Sequence, residues 1–461
     1  MIIKELNTEI YKLRLHVLTP LYIGSGDSFD LASFWIDSQK CELVQTSPDA
    51  FVPLLNEQEI ESLGDMSFRN LAALLCSKKP AGIRKKVSPY LAEKYFAYLN
   101  NVFTDRNQFE IKKTAFSPVD NMPYIPGSSL KGTLRTGYIA SKKPVLSEKY
   151  DKKGNKKEYI DEDGLLGGIF SKSPFAALKV SDFVFSSKDD KIPVSIVFAD
   201  RVSKKLVKGQ YKHLPVTMLE IIDPGTVFEG SISLHKNNGT IQKPIENIET
   251  LLQNINDYSE SLLADEEIGI KFPLMEHISA IRHGFGGRKT YLCRLGGYIG
   301  AESHTIPDCR KIKIRNPFDK HDIRDYSTMT VYASPEQKKT DKCNITLGWC
   351  ILEIADSNEM HENKALADFS ASQLKMLFAM PVGIKKQSGI GINQSLLQPQ
   401  KMSFDRNGVY DAEVVELSKK GKPIAKSHGS KFTVMNAADL KIGDKIKITG
   451  INGTTCKIKE R

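Results

Sequence analysis

The chain has 461 residues, enough for two or three domains, and its 40% hydrophobic and 26% charged residues are typical of a soluble globular protein. It contains no run of 18 or more apolar residues, which excludes a membrane-spanning helix, and its seven cysteines include no CxxC pair, so we expect neither a metal site nor a cofactor. The net charge of +10 favours a polyanionic partner such as nucleic acid.

The N-terminus is predicted to form a strand. Tyr11, Leu13, Leu15 and Val17 alternate with polar residues, which is the period of a strand with one buried face. This segment lacks the apolar stretch and the small-residue cleavage site of a signal peptide. We therefore expect the protein to remain in the cytoplasm.

The loop GSGDSFD at 24–30 follows this strand and carries two carboxylates, Asp27 and Asp30. A loop of this composition is typical of a Gly/Asp turn between two elements. The alternative is that the two aspartates bind a metal ion or act as a base, as in a metal-assisted ribonuclease. Two nearby aspartates do not by themselves define a catalytic site.

Predicted elements continue along the middle of the chain. Apolar residues three and four apart indicate a helical insertion at about 56–108. The charge-dense segment 141–163 is predicted to be an exposed hairpin or a mobile insertion. Several strand-like runs lie between 178 and 235, and a helix is expected at 246–264.

The stretch YIPGSSLKGTLRT at 124–136 is similar to a phosphate-binding loop, but its lysine precedes its glycine, so a nucleotide-binding P-loop is not expected. Ser128 is predicted to cap a helix that begins at Ser129. Leu130, Leu134 and Tyr138 recur every four residues, so we expect them to face the core. The first turn of such a helix attracts anions, and two cations four residues apart share one face there. The stretch therefore predicts either an RNA phosphate site or a capped amphipathic helix with solvated cations. The residues predicted to bind are Gly127, Ser128, Ser129, Lys131 and Arg135.

A second glycine-rich stretch, RHGFGGRKTYLCRLGGYIG at 282–300, combines arginine, lysine and tyrosine with glycines. Glycine lets a backbone approach a phosphodiester chain, arginine grips phosphate, and tyrosine offers a stacking face for unpaired bases. The alternative is a flexible loop with incidental charge. A third glycine-rich segment covers 382–395. The residues predicted to bind RNA in the second stretch are Arg282, Gly286, Gly287, Arg288, Lys289, Arg294, Gly296, Gly297 and Tyr298.

The last segment, 401–461, differs in composition from the main region at 1–400. It holds 13 Lys/Arg against 7 Asp/Glu, and short β-rich runs alternate with turns. The Asn452-Gly453 pair between two such runs indicates a hairpin. We predict a small basic β-rich tail domain.

Four motifs in this order, TPLYIGSGD (19–27), YIPGSSLKGTLRT (124–136), EIIDPGTVFEG (220–230) and RLGGYIG (294–300), resemble the RAMP superfamily of CRISPR-associated proteins. The first and third together resemble the Csm-five family of type III-A effector subunits. The similarity spans roughly residues 10–300 and extends more loosely to 400. It leaves out the 141–163 insertion and the tail.

The resemblance implies an α+β protein with a Cas-seven-like RAMP fold, built on ferredoxin-like (RRM-like) β-α-β units, here followed by a small β-rich C-terminal appendage. It also implies an RNA-binding subunit that caps the Csm filament at the 3′ side of the guide CRISPR RNA. The implied partners are that RNA, neighbouring Csm backbone subunits, and host nucleases that mature the guide.

The resemblance does not imply an enzyme. In these complexes target cleavage is ascribed to an aspartate in the early loop of the neighbouring backbone subunit, and that role is not carried over to Asp27 or Asp30. Tyr22 also stands where relatives often carry histidine. The alternatives are the metal-assisted ribonuclease and another RAMP subunit of a type III complex.

Overall fold

The computed structural model describes most of the chain, and none of the helices in the described ranges is long and apolar enough to cross a membrane. The predicted glycine-rich segment 382–395 and the end of the predicted helical insertion, 101–108, lie outside the described residues. The described ranges are 2–5, 8–100, 109–150, 154, 156–185, 192–207, 210–235, 241, 243–267, 274–315, 321–336, 345–355, 362–378, 409–417, 422–427, 430–435, 440–452 and 455–460.

The strands are β1 (Ile2–Glu5), β2 (Thr8–Val17), β3 (Gly24–Phe29), β4 (Phe34–Asp37), β5 (Glu42–Gln45), β6 (Ile83–Val87), β7 (Ile111–Thr114), β8 (Tyr124–Ile125), β9 (Leu146–Tyr150), β10 (Lys156–Ile160), β11 (Leu178–Val180), β12 (Phe183–Phe185), β13 (Val194–Val207), β14 (Gln210–His213), β15 (Thr217–Ile222), β16 (Val227–His235), β17 (Thr290–Arg294), β18 (Ile312–Arg315), β19 (His321–Arg324), β20 (Met329–Ser334), β21 (Ile345–Thr346), β22 (Trp349–Ile354), β23 (Tyr410–Leu417), β24 (Pro423–Ser427), β25 (Ser430–Val434), β26 (Lys445–Asn452) and β27 (Thr455–Glu460). The α-helices are α1 (Pro48–Phe51), α2 (Glu57–Ser62), α3 (Phe68–Lys78), α4 (Pro89–Asn100), α5 (Gly127–Ser141), α6 (Glu162–Leu166), α7 (Pro174–Ala177), α8 (Ile248–Glu267), α9 (Leu274–Gly284) and α10 (Lys364–Phe378). Short 3-10 turns lie at Val52–Leu54, Leu63–Asp65, Phe170–Lys172 and Ala301–His304.

The first sheet has eight strands and contains a ferredoxin-like unit. Its neighbours β22, β2, β16 and β12 pair antiparallel in that spatial order, while α5 follows β2 and α8 follows β16 along the chain. Numbered along the chain, these strands have the order 4-1-3-2 with a helix after the first and the third, which is the ferredoxin-like arrangement. The predicted α+β class and ferredoxin-like unit are confirmed.

Helices α5 and α8 pack against each other at a close crossing. Leu130, Leu134 and Tyr138 of α5 are buried, as their four-residue spacing predicted. At Gly137 an added Cβ atom would lie 2.8 Å from the Cα atom of Ile255 in α8, so this crossing tolerates no side chain. Both helices contribute to one core with the first sheet.

The second sheet has ten strands, and its main path runs β3-β7-β15-β13-β6-β5-β4. Helices α3 and α4 pack with its β4 end over a separate core. The stretch 56–108, expected to be helical, therefore also contains strand β6. Its pattern hid the strand because Lys85, a residue that normally marks an exposed face, is buried inside the sheet.

The charged segment 141–163 contains an antiparallel hairpin of β9 and β10, one of the two predicted alternatives. The strand-like runs expected between 178 and 235 form β11 with β12, β13, β15 and β16. The helix predicted at 246–264 is α8.

Strands β23 to β27 close into a barrel that buries a core of its own, including Val414, Phe432 and Ile448. The predicted β-rich C-terminal appendage is confirmed. Asn452 and Thr455 pair across the predicted hairpin between β26 and β27, and the two residues between them lie outside the described residues.

Candidate nucleic-acid interface

Three consecutive residues, Leu21 to Ile23, are the point where the four glycine-containing motifs meet. The backbones of Leu21 and Ile222 exchange two hydrogen bonds, of 3.1 and 2.7 Å, which join the first motif to the third. The Gly297 N–H donates to the Tyr22 carbonyl at 2.8 Å and joins the fourth. Segments more than 270 residues apart in sequence thus share one backbone junction.

The second motif reaches the same junction through one intervening residue. The Ala115 N–H donates to the Ile23 carbonyl at 2.7 Å, and the Ala115 carbonyl accepts the Tyr124 N–H at 3.3 Å. Ala115 directly follows β7, so β7 and the start of the second motif are both held beside β3. The four motifs therefore form one structural unit.

Gly296 shows why glycine is required at this junction. It has φ +92°, and an added Cβ atom would lie 2.3 Å from the Tyr22 carbonyl oxygen. Two residues on, Tyr298 adopts φ +62°, and its ring meets the Tyr22 ring edge-on at a centroid distance of 5.5 Å. Burial, with a contribution from Tyr298, raises the pKa of Tyr22 to about 12.

The junction leaves one segment of the first motif exposed. Strand β3 lies at the edge of the second sheet, and residues Gly24 to Asp27 are exposed. Gly24 pairs with Thr114 while Ser28 pairs with Lys112, so β3 carries two extra residues in a bulge. Gly26, with φ +89° and open space around it, forms the centre of that bulge.

Two lysines of β7 lie beside the bulge and were missed by the sequence predictions. The Lys112 ammonium is 6.0 Å from the centroid of the Tyr298 ring, and that of Lys113 is 4.9 Å from the Phe29 ring. Both side chains are half-buried, and within the described part of the chain neither forms an ion pair. Because consecutive residues of a strand point to opposite faces, Lys112 and Lys113 lie on opposite faces of the sheet beside the bulge. We call Gly24–Asp27, Lys112, Lys113 and Tyr298 the edge surface.

A buried ion pair holds β7 in position. Glu220 of the third motif accepts the Thr114 N–H at 3.0 Å and the Lys85 ammonium at 2.5 Å. Burial lowers the pKa of Lys85, while the Glu220 carboxylate opposes that shift. Both side chains are almost fully buried, so the acidic residue of this motif has a structural role.

The start of α5 differs from the prediction. The helix begins at Gly127 and its N-cap is Pro126, so the predicted capping role of Ser128 is wrong. The Gly127 N–H donates to the Asp182 carboxylate at 2.7 Å, because the positive end of the helix attracts an anion and the chain supplies one itself. Ser128 is exposed and Ser129 is half-buried.

The two cations of α5 also have partners within the chain. The Lys131 ammonium donates to the Leu178 carbonyl at 2.8 Å, and burial lowers the pKa of Lys131. Arg135 forms an ion pair with Glu162. These contacts orient both side chains toward the neighbouring segments of the chain.

The cations in the second predicted stretch have carboxylate partners as well. Arg282 pairs with Glu260 at 2.6 Å, and Lys289 pairs with Glu249 at 2.6 Å. The Lys289 side chain is 59% exposed, so it remains accessible to a ligand. The turn at 286–287 is exposed, and both of its glycines have positive φ.

Arg288 belongs to a buried charge network in the first sheet. It forms an ion pair with Glu353, whose other oxygen lies 2.7 Å from His16 Nε2. Burial raises the pKa of Glu353, but His16 and Arg288 outweigh it and lower the pKa overall. Arg14 lies beside the same carboxylate at 3.9 Å.

Arg294 is the most buried of the predicted cations, with 8% of the residue exposed. Its guanidinium donates two hydrogen bonds to Glu266, at 2.7 and 3.1 Å, and one to the Leu347 carbonyl at 3.1 Å. It also lies 4.6 Å from the centroid of the Trp349 ring. These contacts place the guanidinium in the core beneath the RLGGYIG turn.

Glu302 fixes the segment that follows this turn. Its carboxylate accepts hydrogen bonds from the Lys204 ammonium and from the backbone and hydroxyl of Ser327, all at 2.7 Å. Burial raises the pKa of Glu302, but these hydrogen bonds outweigh it and lower the pKa to about 2.

Asp27 and Asp30 lie in different local structures. Asp27 lies in the exposed bulge, whereas Asp30 accepts the Ala32 N–H at 3.0 Å and so closes a turn of its own. Across the described ranges no group of three or more His, Cys, Asp or Glu residues is arranged to hold a metal ion.

Sequence comparison assigns this α+β chain to a family. The model of the RAMP superfamily matches residues 14–291, more than half of the chain. The chain belongs to the RAMP superfamily, and the predicted membership is confirmed. No curated protein matches the chain by sequence.

Three solved structures are similar to the chain at low identity. A chain of a Csm-crRNA-target RNA ternary complex of the type III-A CRISPR-Cas system is 16% identical, with 74% of this chain and 100% of that chain covered and a TM-score of 0.46. Csm5 from T. onnurineus is 15% identical, with 73% and 99% covered and a TM-score of 0.38. A chain of a type III-B Cmr-beta complex bound to cognate target RNA is 16% identical, with 51% and 49% covered and a TM-score of 0.21. The family assignment rests on the RAMP match alone.

Proposed function

We propose that this RAMP protein is an RNA-binding subunit of a type III-A CRISPR effector complex, related to the Csm-five subunits and placed at the 3′ side of the guide RNA. The observation that carries the proposal is the convergence of the four motifs on Leu21–Ile23. The two motifs that resemble the Csm-five family are joined directly there, through Leu21 and Ile222. The junction holds the edge surface open to solvent.

The edge surface offers the groups that bind a single-stranded backbone. Gly24 and Gly26 of the bulge have no side chain that would keep a phosphodiester at a distance, and as part of an edge strand the bulge presents backbone donors. Lys112 and Lys113 supply positive charge, and Tyr298 supplies a face on which a base can stack. Phosphate contacts of this kind position RNA with little dependence on base sequence.

The residues predicted from the sequence divide into three groups under this proposal. Gly296, Gly297 and Tyr298 build the edge surface or its support. Arg294 and Gly127 serve the fold, since each has its polar group bound to a carboxylate within the chain. The other predicted contacts remain proposals, and Lys289 is the most accessible cation among them.

The test is the salt dependence of affinity for single-stranded guide RNA. Each lost phosphate contact lowers the slope of log affinity against log salt by about 0.7 for a single strand, so K112Q/K113Q should lower it by about 1.4. The matched control is K142Q/K149Q, which removes two lysines that also lie over tyrosine rings, at 4.7 and 4.8 Å, outside the edge surface. An unchanged slope in K112Q/K113Q, or an equal loss in the control, would refute the proposal.

Assembly provides a second test of the same proposal. The protein should co-purify with type III-A backbone subunits and guide RNA, and guides matured in its absence should have altered 3′ ends because host nucleases act at that side. Association with type III-B subunits instead would assign the chain to another RAMP subunit.

A further inference from the structure

The C-terminal barrel, formed by β23 to β27, has the strand order of a known ligand-binding fold. Its strands close in the order β23-β24-β25-β27-β26, and β26 returns to pair with β23. All pairs are antiparallel except β25 with β27, which is parallel. Numbered one to five along the chain, this is the order 1-2-3-5-4 of the oligonucleotide- and oligosaccharide-binding (OB) fold.

The outer face of the second, third and fifth strands is basic. Side chains alternate along these strands, so Ala425, Phe432 and Cys456 fill the barrel core while their neighbours point outward. The outward positions combine exposed lysines with threonines and two apolar side chains, of which Met435 is 52% exposed. We call this set the barrel face; its members are Ile424, Lys426, Lys431, Thr433, Met435, Thr455, Lys457 and Lys459.

The lysines of the barrel face are incompletely neutralised. Lys426 and Lys431 lie directly opposite each other on β24 and β25, an arrangement of like charges that destabilises a sheet. Lys431 pairs with Glu416 at 3.0 Å, but both side chains are about half exposed, so the pair is weak. Glu413 lies opposite Lys426 on the other side, yet no ion pair joins them among the described residues. A polyanion lying across the two strands would remove this repulsion.

The opposite side of the barrel is balanced. On β23 and β26, Asp411 lies opposite Lys447 and Glu413 lies opposite Lys445. Among the described barrel residues, the directly opposed like charges, Lys426 and Lys431, lie on the face that includes the second and third strands, which is where OB folds bind their ligands.

We propose that the barrel face is a second binding site for single-stranded nucleic acid, separate from the edge surface. The lysines contact phosphates, the threonine hydroxyls donate hydrogen bonds, and Ile424 and Met435 pack against sugars or bases. The described barrel face carries no aromatic side chain, so binding there is led by phosphates and tolerant of sequence. The inference extends the proposed function but depends only on the barrel's own geometry.

The experiment compares two variants of the full chain that each remove two positive charges from the barrel. K426Q/K457Q removes two lysines of the barrel face. The matched control, K441Q/K445Q, removes two exposed lysines that lie outside the barrel face. Affinity for a single-stranded RNA of mixed sequence is measured by fluorescence anisotropy over a salt series, after thermal unfolding has shown that both variants are folded. K426Q/K457Q should lower the salt slope by about 1.4, from two lost contacts of about 0.7 each, and the control should leave it unchanged.

An unchanged slope in K426Q/K457Q, or equal losses in the two variants, would overturn the inference. Weakened binding of an acidic protein partner with unaltered RNA affinity would also overturn it, because the face would then be a protein interface. The outcome is independent of K112Q/K113Q: if only the edge-surface variant loses affinity, the barrel inference fails and the proposed function stands. If only K426Q/K457Q loses affinity, the proposed function fails and the barrel inference stands.

Discussion

Substitution of Arg294 by alanine should destabilise the fold, although the sequence alone placed this residue among the RNA contacts. The guanidinium makes two hydrogen bonds to Glu266 and one to the Leu347 carbonyl, and it lies against the Trp349 ring. Only 8% of the Arg294 side chain and 11% of the Glu266 side chain are exposed. R294A would therefore leave a nearly buried carboxylate without its counterion.

The magnitude follows from that geometry. Removing one partner of a buried ion pair costs about 3–5 kcal/mol in the free energy of unfolding, because the other charge remains in a poorly solvated environment. An exposed pair contributes only about 0–1 kcal/mol. Lys289, with 59% of its side chain exposed beside Glu249, provides that comparison as K289A.

The assay is urea unfolding followed by tryptophan fluorescence. The chain has two tryptophans, and Trp349 lies beneath Arg294 whereas Trp35 lies in the separate core of the second sheet. A W35F background therefore makes the signal specific for the region of interest. R294A should lose about 3–5 kcal/mol and K289A about 0–1 kcal/mol. Similar free energies for R294A and the parent would refute the structural role of Arg294.

Other substitutions test individual contacts of the fold and of the early loop. G296A should lose about 1–3 kcal/mol of stability, because the added Cβ atom combines backbone strain with a clash against a carbonyl oxygen. The control G286A has positive φ but open space around it, so it should lose about 1 kcal/mol. Equal losses of the two variants in thermal unfolding would contradict this prediction. The Glu302 pKa of about 2 in the folded state lies below its ordinary value of 4.5, so the carboxylate stabilises the fold above pH 4.5 and loses that effect as the pH falls toward 2. The difference in unfolding free energy between wild type and E302Q, measured by urea unfolding, should therefore shrink over this pH range. A constant difference would refute the role of Glu302. Neither the wild type nor D27A/D30A should cleave RNA, whereas cleavage by the wild type that disappears in the variant would establish the ribonuclease alternative.

Local patterns in the sequence predicted several helices and strands and part of the core. The four-residue spacing of Leu130, Leu134 and Tyr138 predicted the buried face of α5 because that periodicity is a property of the helix itself. The start of α5 was misplaced by two residues, since the anion at its N-terminus, Asp182, lies 55 residues away along the chain. Strand β6 was missed because the partner that makes a buried lysine tolerable, Glu220, is 135 residues distant.

The same dependence on partners distant in sequence limited the prediction of the candidate site. Charge and glycine content indicate cation-rich segments, but a sequence does not show which cations already have a carboxylate partner, as Arg288 has in Glu353, 65 residues away. Lys112 and Lys113 look like an ordinary charged pair until β7 is paired with the glycine bulge of β3. The resemblance to RAMP proteins rests on the order of four motifs along the chain, and only the fold shows that these motifs meet at one junction.

Ultraviolet cross-linking of the assembled complex tests the central claim most directly. A guide RNA carrying 4-thiouridine at successive 3′ positions is cross-linked, the protein is digested, and the attached peptides are identified by mass spectrometry. The account predicts attachment to the peptides that contain Gly24–Asp27 and Tyr298. Attachment confined to the segments 127–135 and 282–289, with none at the edge surface, would contradict it.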